Sequence, residues 1–174
     1  TVLVDEAYHY FYPKTFIKYA LTEDHVFITR TFSKLFSMAG CRLGYVVGWS
    51  DGVKMVQKMC TPHNTNAFAM MFAEKVLTTP GMLDSLITNF NGGRKYLVNS
   101  LDKNGYRHKG EAGNFIFIEP KTDAQTIVDR MKAEKKILIK AYPNVGEFGN
   151  CLRVSIGEEK YMKQFVEALL EIDR

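Results

Sequence analysis

The chain has 174 residues, 46% of them hydrophobic and 24% charged, with a formal net charge of +4. That length suits one ordinary domain or two small lobes, and that balance excludes a disordered chain and a bundle of apolar membrane helices. The modest charge, without a dense Lys/Arg block, argues against nucleic acid or a membrane surface as partner and fits small anionic molecules.

The chain opens on Thr1-Val2-Leu3-Val4, which reads as a buried strand with no turn or cap before it. Such a strand needs partners, and a further N-terminal part is expected to supply them. Val26-Phe27-Ile28 and Tyr45-Val46-Val47 are similar short runs. Without polar alternation they suit strands buried on both faces, in a mainly parallel sheet flanked by helices. A long helical stretch follows and breaks near Thr79-Pro80-Gly81; another runs from Met82 to Leu101 and stops at Asn104-Gly105. Phe115 to Ile118 reads as a strand. Ala124, Ile127, Val128 and Met131 then recur at helical spacing. Ile137-Leu138-Ile139 and Leu152 to Ile156 complete the strands, and Met162, Phe165, Val166 and Leu169 mark a last helix starting near Gly157-Glu158. The fold class is α/β, in two lobes joined by the helices around Pro80 and Leu101.

Three cysteines, Cys41, Cys60 and Cys151, lack metal-ligand spacing, and their odd count argues against a disulfide framework. A reducing, cytoplasmic setting is expected. His9 has no second ligand set near it, so no metal is expected either.

Three clusters carry chemistry. Val4-Asp5-Glu6-Ala7-Tyr8 puts carboxylates at the C-terminal end of a strand, the edge at which open α/β sheets bind ligands. The same pair also suits a helix cap. Thr31 to Gly44 gathers hydroxyls, Lys34 and Arg42 in one strand-loop-strand passage. Leu152-Arg153-Val154-Ser155-Ile156-Gly157 sets an arginine in an apolar strand, where it needs an ion-pair partner or an anionic ligand.

In this order, Val-Asp-Glu-Ala-Tyr, Ser-Lys-x-Phe-x-Met-Ala-Gly-x-Arg-x-Gly-Tyr and Leu-Arg-Val-Ser-Ile-Gly resemble the class I/II aminotransferases of PLP (pyridoxal 5'-phosphate) fold type I. Within them the likeness is to the histidinol-phosphate aminotransferase group, and it runs from Thr1 to the last helix. The resemblance implies the C-terminal half of such an enzyme, a fragment with weak or no activity alone. Residues 1–79 would be the last part of the large PLP-binding domain, and 80–174 a connecting helix with a small C-terminal α/β domain.

The resemblance also implies roles. Lys34 is the amine that bonds the cofactor and carries the proton. Asp5 is a buried carboxylate facing the pyridine nitrogen, and Tyr8 the phenol at O3′. Thr31, Ser33 and Arg42 take the phosphate, with Gly40 and Gly44 letting the backbone turn tightly. Arg153 grips the substrate α-carboxylate, while Asn114 serves either the substrate or a turn. Lys140 stands where the group usually has a substrate-side arginine; the charge stays but the bidentate fork is lost, which puts histidinol phosphate as substrate in doubt. Substrates would be an amino acid and a 2-oxo acid, and the intact protein a homodimer. Two other readings remain: a PLP decarboxylase or lyase of this fold, similar to threonine-phosphate decarboxylase, and a non-catalytic C-terminal fragment.

Overall fold

The computed structural model describes residues 1–12 and 14–174. These form two compact units, Thr1–Leu86 and Ile87–Arg174, each with its own sheet.

In the first unit, β1 (Val2–Asp5), β2 (Val26–Thr31) and β3 (Gly44–Gly48) lie in the order β1-β2-β3. The crossover from β1 to β2 carries α1 (Ile17–Thr22), so this pair can run parallel, with Val2 opposite Val26 and Asp5 opposite Thr29. β3 returns antiparallel, Thr31 opposite Gly44. Alternation then sorts the side chains. Val4, Ile28 and Val47 share the face packed with Ile17 and Ala20 of α1, where Ile28 and Ala20 are fully buried. Asp5, Thr29 and Thr31 take the opposite face.

The mainly parallel sheet expected from sequence is corrected. Among the described residues only β1–β2 is parallel; the other strand pairs, in both units, are antiparallel. An apolar run reports burial and not direction, so the signal could not tell the two arrangements apart. On β1, Val2 and Leu3 are exposed, Leu3 by 64%.

The loop between β2 and β3 turns at Ser37 (φ 56°) and Arg42 (φ 52°) rather than at Gly40. Gly44 is needed for a different reason: a Cβ there would stand 2.8 Å from the Arg30 carbonyl oxygen. The expected long helical stretch is two helices, α2 (Ser50–Lys58) and α3 (Ala67–Thr78). Pro62 and the left-handed His63 (φ 66°) lie between them, and Asn66 caps α3 by accepting from the Ala69 amide at 3.1 Å. Met55, Phe68, Met71 and Phe72 on these helices, and Met59 just past the end of α2, are exposed.

The unit boundary falls inside α4 (Met82–Lys103). In the second unit, β4 (His108–Lys109), β5 (Phe115–Ile118), β6 (Lys140–Tyr142) and β7 (Cys151–Ser155) lie in the order β4-β5-β7-β6, with α5 (Ala124–Arg130) and α6 (Glu159–Ile172). Ile116, Ile118, Leu152 and Val154 point to the core face, and Phe165 and Leu169 of α6 are buried with them. Asp173 is a buried carboxylate with no sequence signal. It accepts from the Lys121 and Thr122 amides and the Thr122 hydroxyl at 2.9, 2.8 and 2.7 Å, pinning the end of α6. The strand expected at Ile137-Leu138-Ile139 begins instead at Lys140. A π-turn over Met131–Lys135 and a left-handed Lys136 (φ 58°) extend the helix end, and the Ile137 amide still bonds the Met131 carbonyl at 3.1 Å.

Among the described residues no helix is long and apolar enough to cross a membrane, and no group of three or more His, Cys, Asp or Glu is placed to hold a metal.

Two neighbouring glycines of α4 should respond oppositely to alanine. A Cβ at Gly93 would stand 1.8 Å from the Gly157 carbonyl oxygen, whereas Gly92 faces open space. Gly93→Ala should destabilise the unit by about 1–3 kcal/mol through overpacking. Gly92→Ala should stabilise it by about 1 kcal/mol through helix propensity. Urea unfolding followed by circular dichroism measures both.

Candidate active site

The C-terminal ends of β1 and β2 bring the first cluster together. Asp5 ends β1, and its Oδ1 accepts from the Ala7 amide at 3.0 Å and the Thr29 hydroxyl at 3.4 Å. Its carboxylate is exposed in this chain. The chain then turns through a single 3-10 turn at His9–Phe11, which places Tyr8 under Lys34: the Lys34 Nζ lies 5.5 Å from the Tyr8 ring centroid. Lys34 is half-buried and makes no hydrogen bond or ion pair among the described residues.

The loop carrying Lys34 is closed at its neck. The Phe32 amide bonds the Leu43 carbonyl at 3.1 Å, the Met38 amide the Phe32 carbonyl at 3.1 Å, and the Ser37 amide the Lys34 carbonyl at 3.1 Å. Edge-on and tilted ring contacts of Phe36 with Tyr10 (5.2 Å) and Phe32 (5.0 Å) pack its inner side. Burial beside Tyr45 pushes the Tyr10 hydroxyl up to about 12, so it stays a neutral packing group. At the neck the Thr31 hydroxyl donates to Ser33 Oγ at 2.9 Å and accepts from the Ser33 amide at 3.0 Å. Arg42, one residue before Leu43, is exposed; its Nη1 donates to the Ala39 carbonyl at 3.0 Å and its other guanidinium nitrogens are unengaged among the described residues. Hydroxyls, a backbone amide and a guanidinium at one loop neck form a donor set suited to a phosphate dianion.

On the reverse face lies an ion pair, Glu6 with Arg30, that the sequence did not suggest. Glu6, 8% exposed, accepts from the Phe16 amide at 2.7 Å, from the Thr15 hydroxyl at 3.0 Å, and from Arg30 Nε and Nη2 at 3.0 and 2.9 Å. Burial pushes the Glu6 carboxyl up, but the bonds from Phe16, Arg30 and Thr15 outweigh it and hold the group below the ordinary glutamate range. His9 Nδ1 is 3.7 Å from Glu6, and burial and the Arg30 charge push this imidazole below its usual value. Arg30 gave no signal in the sequence, because a charge between two threonines reads as an ordinary surface residue.

In the second unit, Arg153 sits in the middle of β7. The strand register sets Lys109, Phe117, Arg153 and Lys140 side by side in one row across the sheet. Arg153 Cζ lies 4.0 Å from the Phe115 ring centroid, and neither Arg153 nor Lys140 forms an ion pair among the described residues. Like charges directly opposite on neighbouring strands are unfavourable, so the pair is poised for an anion. The loop before β5 is held by Arg94, which donates to the Gly110 and Gly113 carbonyls. Asn114 follows Gly113 (φ 96°), and its carbonyl accepts from the Ile156 amide at 2.8 Å.

The family Aminotransferase class I and II matches residues 1–169. A histidinol-phosphate aminotransferase of Geobacter sp. is 30% identical over 171 residues, which cover 98% of this chain and 49% of that protein. The crystal structure of histidinol-phosphate aminotransferase from Sinorhizobium meliloti in complex with pyridoxal-5'-phosphate superposes with a TM-score of 0.84 at 24% identity, over 99% of this chain and 48% of that one. L-threonine-O-3-phosphate decarboxylase from Porphyromonas gingivalis gives 0.74 at 20% identity, over 97% and 54%. These two superpositions establish the fold alone. The chain spans about half the length of the curated relatives it matches.

The Glu6 carboxyl sits below its unfolded value of 4.5, so the stability it contributes is present above pH 4.5 and is lost as pH falls through the folded pKa. Glu6→Gln should cost about 2 kcal/mol at pH 7, by leaving Arg30 unpaired, and should flatten that acid limb. Denaturant unfolding at neutral pH and in acid measures both effects.

Proposed function

The chain belongs to the class I and II aminotransferases, and from that premise we propose that it is the lysine-bearing half of a longer PLP-dependent enzyme that transfers an amino group between an amino acid and a 2-oxo acid. The observation that carries the reading is Lys34: a half-buried amine with no counter-ion among the described residues, over the Tyr8 ring, at the strand ends that also hold Asp5 and the Thr31–Ser33 hydroxyls.

Those residues fit the cofactor in kind. Thr31, Ser33 and Arg42 offer hydroxyl and guanidinium donors to a phosphate; Asp5 offers a carboxylate to a protonated ring nitrogen, and Tyr8 a phenol to the ring oxygen. Pyridoxal phosphate, when bound, supplies an aldehyde for the substrate amine and a ring that draws electrons from the substrate Cα. Lys34 Nζ would be the amine that holds the cofactor, and the same amine, when free, would take the proton from the substrate Cα. Arg153 offers a planar fork to the substrate α-carboxylate, and Lys140 beside it a second positive charge on the substrate side. Asn114 is assigned to the turn before β5 and to that same substrate side. A homodimer belongs to the same reading, with the exposed Phe68, Met71 and Phe72 of α3 as apolar surface for the remainder of the assembly to cover. The same reading assigns residues 1–79 to the large domain and 80–174 to a connecting helix and the small C-terminal domain, with the two compact units of the structure dividing a few residues later, at Leu86 and Ile87.

Product analysis tests the proposal. The full-length polypeptide containing this segment, loaded with PLP and given a panel of L-amino acids with 2-oxoglutarate, should yield the matching 2-oxo acids. Release of carbon dioxide with an amine product would replace transamination by decarboxylation. Lys34→Ala should lower the rate by about 100-fold or more, the usual worth of a positioned acid–base group. Arg153→Met should raise KM for the amino acid by about 100-fold, the loss of charged hydrogen bonds worth about 3 kcal/mol. An unchanged KM in that variant would remove Arg153 from the substrate site.

A further inference from the structure

The Glu6–Arg30 pair lies on the face of the first sheet that α1 covers, and the Lys34 site lies on the other. Glu6 follows Asp5 directly, and its amide bonds the Thr29 carbonyl at 2.9 Å, adding one more rung to the β1–β2 ladder. Its carbonyl accepts from the His9 amide at 2.9 Å, and the Tyr8 carbonyl from the Phe11 amide at 2.9 Å, so the turn that carries Tyr8 is anchored at Glu6. Arg30 stands between Thr29, which donates to Asp5, and Thr31, which opens the donor set at the loop neck. Its Nη2 also donates to the Thr15 hydroxyl at 3.0 Å, and Thr15 donates to both Glu6 oxygens. One carboxylate therefore ties together the end of β1, the C-terminal end of β2 and the entry to α1.

From this geometry we infer that Glu6 and Arg30 are positioning residues, a buried clamp on the reverse face that sets Tyr8 and Asp5 against Lys34. The inference rests on the reading of Lys34 as the cofactor lysine, but its geometry exists without cofactor. Arg30 is 11% and Glu6 6% exposed at the side chain, so water competes little for their bonds. Both guanidinium bonds converge on a single oxygen, Glu6 Oε2, leaving Oε1 for Thr15 and Phe16; a lysine at position 30 keeps the charge and loses the fork. Without the clamp the Tyr8 turn keeps its backbone bonds and loses its fixed angle to the sheet.

The test is a ring-current measurement on the chain itself. Isotope-labelled reductive methylation places a reporter on Lys34 Nζ, assigned by its loss in Lys34→Arg. The Tyr8 ring should displace that resonance from those of exposed lysines such as Lys140, and Tyr8→Leu defines the position without the ring. In Glu6→Gln, Arg30→Lys and Arg30→Ala the resonance should move at least half-way to the Tyr8→Leu position while far-ultraviolet circular dichroism stays folded. Millimolar guanidinium should restore it in Arg30→Ala, which a merely destabilised protein would not show. A Lys34 resonance that stays put in the folded Arg30→Lys variant overturns the clamp, and so does a wild-type resonance no different from exposed lysines. PLP labelling of Lys34 reports separately on the reading beneath it: selective labelling with an immobile resonance keeps the cofactor role and removes the clamp.

Discussion

A β-strand sends successive side chains to opposite faces, and the first unit depends on that alternation. Val4, Ile28 and Val47 turn one way onto Ala20 of α1; Asp5, Thr29 and Thr31 turn the other way and are left for chemistry. One residue further along each strand, Glu6 and Arg30 fall on the core side, where their charges are buried and must satisfy each other. The same two-residue period thus makes the core, the site and the ion pair that joins them. A one-residue slip of β1 against β2 would put Asp5 into the core and the apolar run into solvent, so the register is strongly specified.

The second unit uses the alternation differently. Ile116, Ile118, Leu152 and Val154 fill its core, and the other face of the same strands presents Arg153 beside Lys140. Two cations on adjacent strands, without an ion pair among the described residues, favour a ligand with concentrated negative charge, and Phe115 against the guanidinium limits its freedom. Arg153 can offer two parallel bonds to a carboxylate, while Lys140 offers only a point charge.

Much of this was legible in the residues, and what was missed has physical causes. The family was legible because Asp5, Tyr8, Lys34, Arg42 and Arg153 stand in the order and spacing of its motifs, and the match over residues 1–169 bears that resemblance out. The long helix α4 was readable because Asn104-Gly105 ends it sharply; Gly105 takes a φ of 71°. Strand direction was not, since a Val/Ile run is the same in a parallel or antiparallel pair. The start of β6 was displaced because apolar Ile137 to Ile139 matched a strand in composition, while the left-handed Lys136 and the bond from Ile137 back to Met131 depend on how the preceding helix ends. Glu6–Arg30 and Asp173 were invisible for another reason: a charge far along the chain from its partner carries no local pattern, and burial is decided only by the fold.

The role proposed for Lys34, bonding the cofactor, can be tested by trapping it covalently. The chain and the full-length polypeptide are each incubated with PLP, reduced with borohydride and digested, and labelling is compared across all lysines by mass spectrometry. The account predicts strong selectivity for Lys34 in the full-length protein, and in the chain alone if the first unit forms its part of the pocket unaided. Labelling at Lys34 no greater than at exposed lysines such as Lys54 or Lys140 in the full-length protein would contradict it.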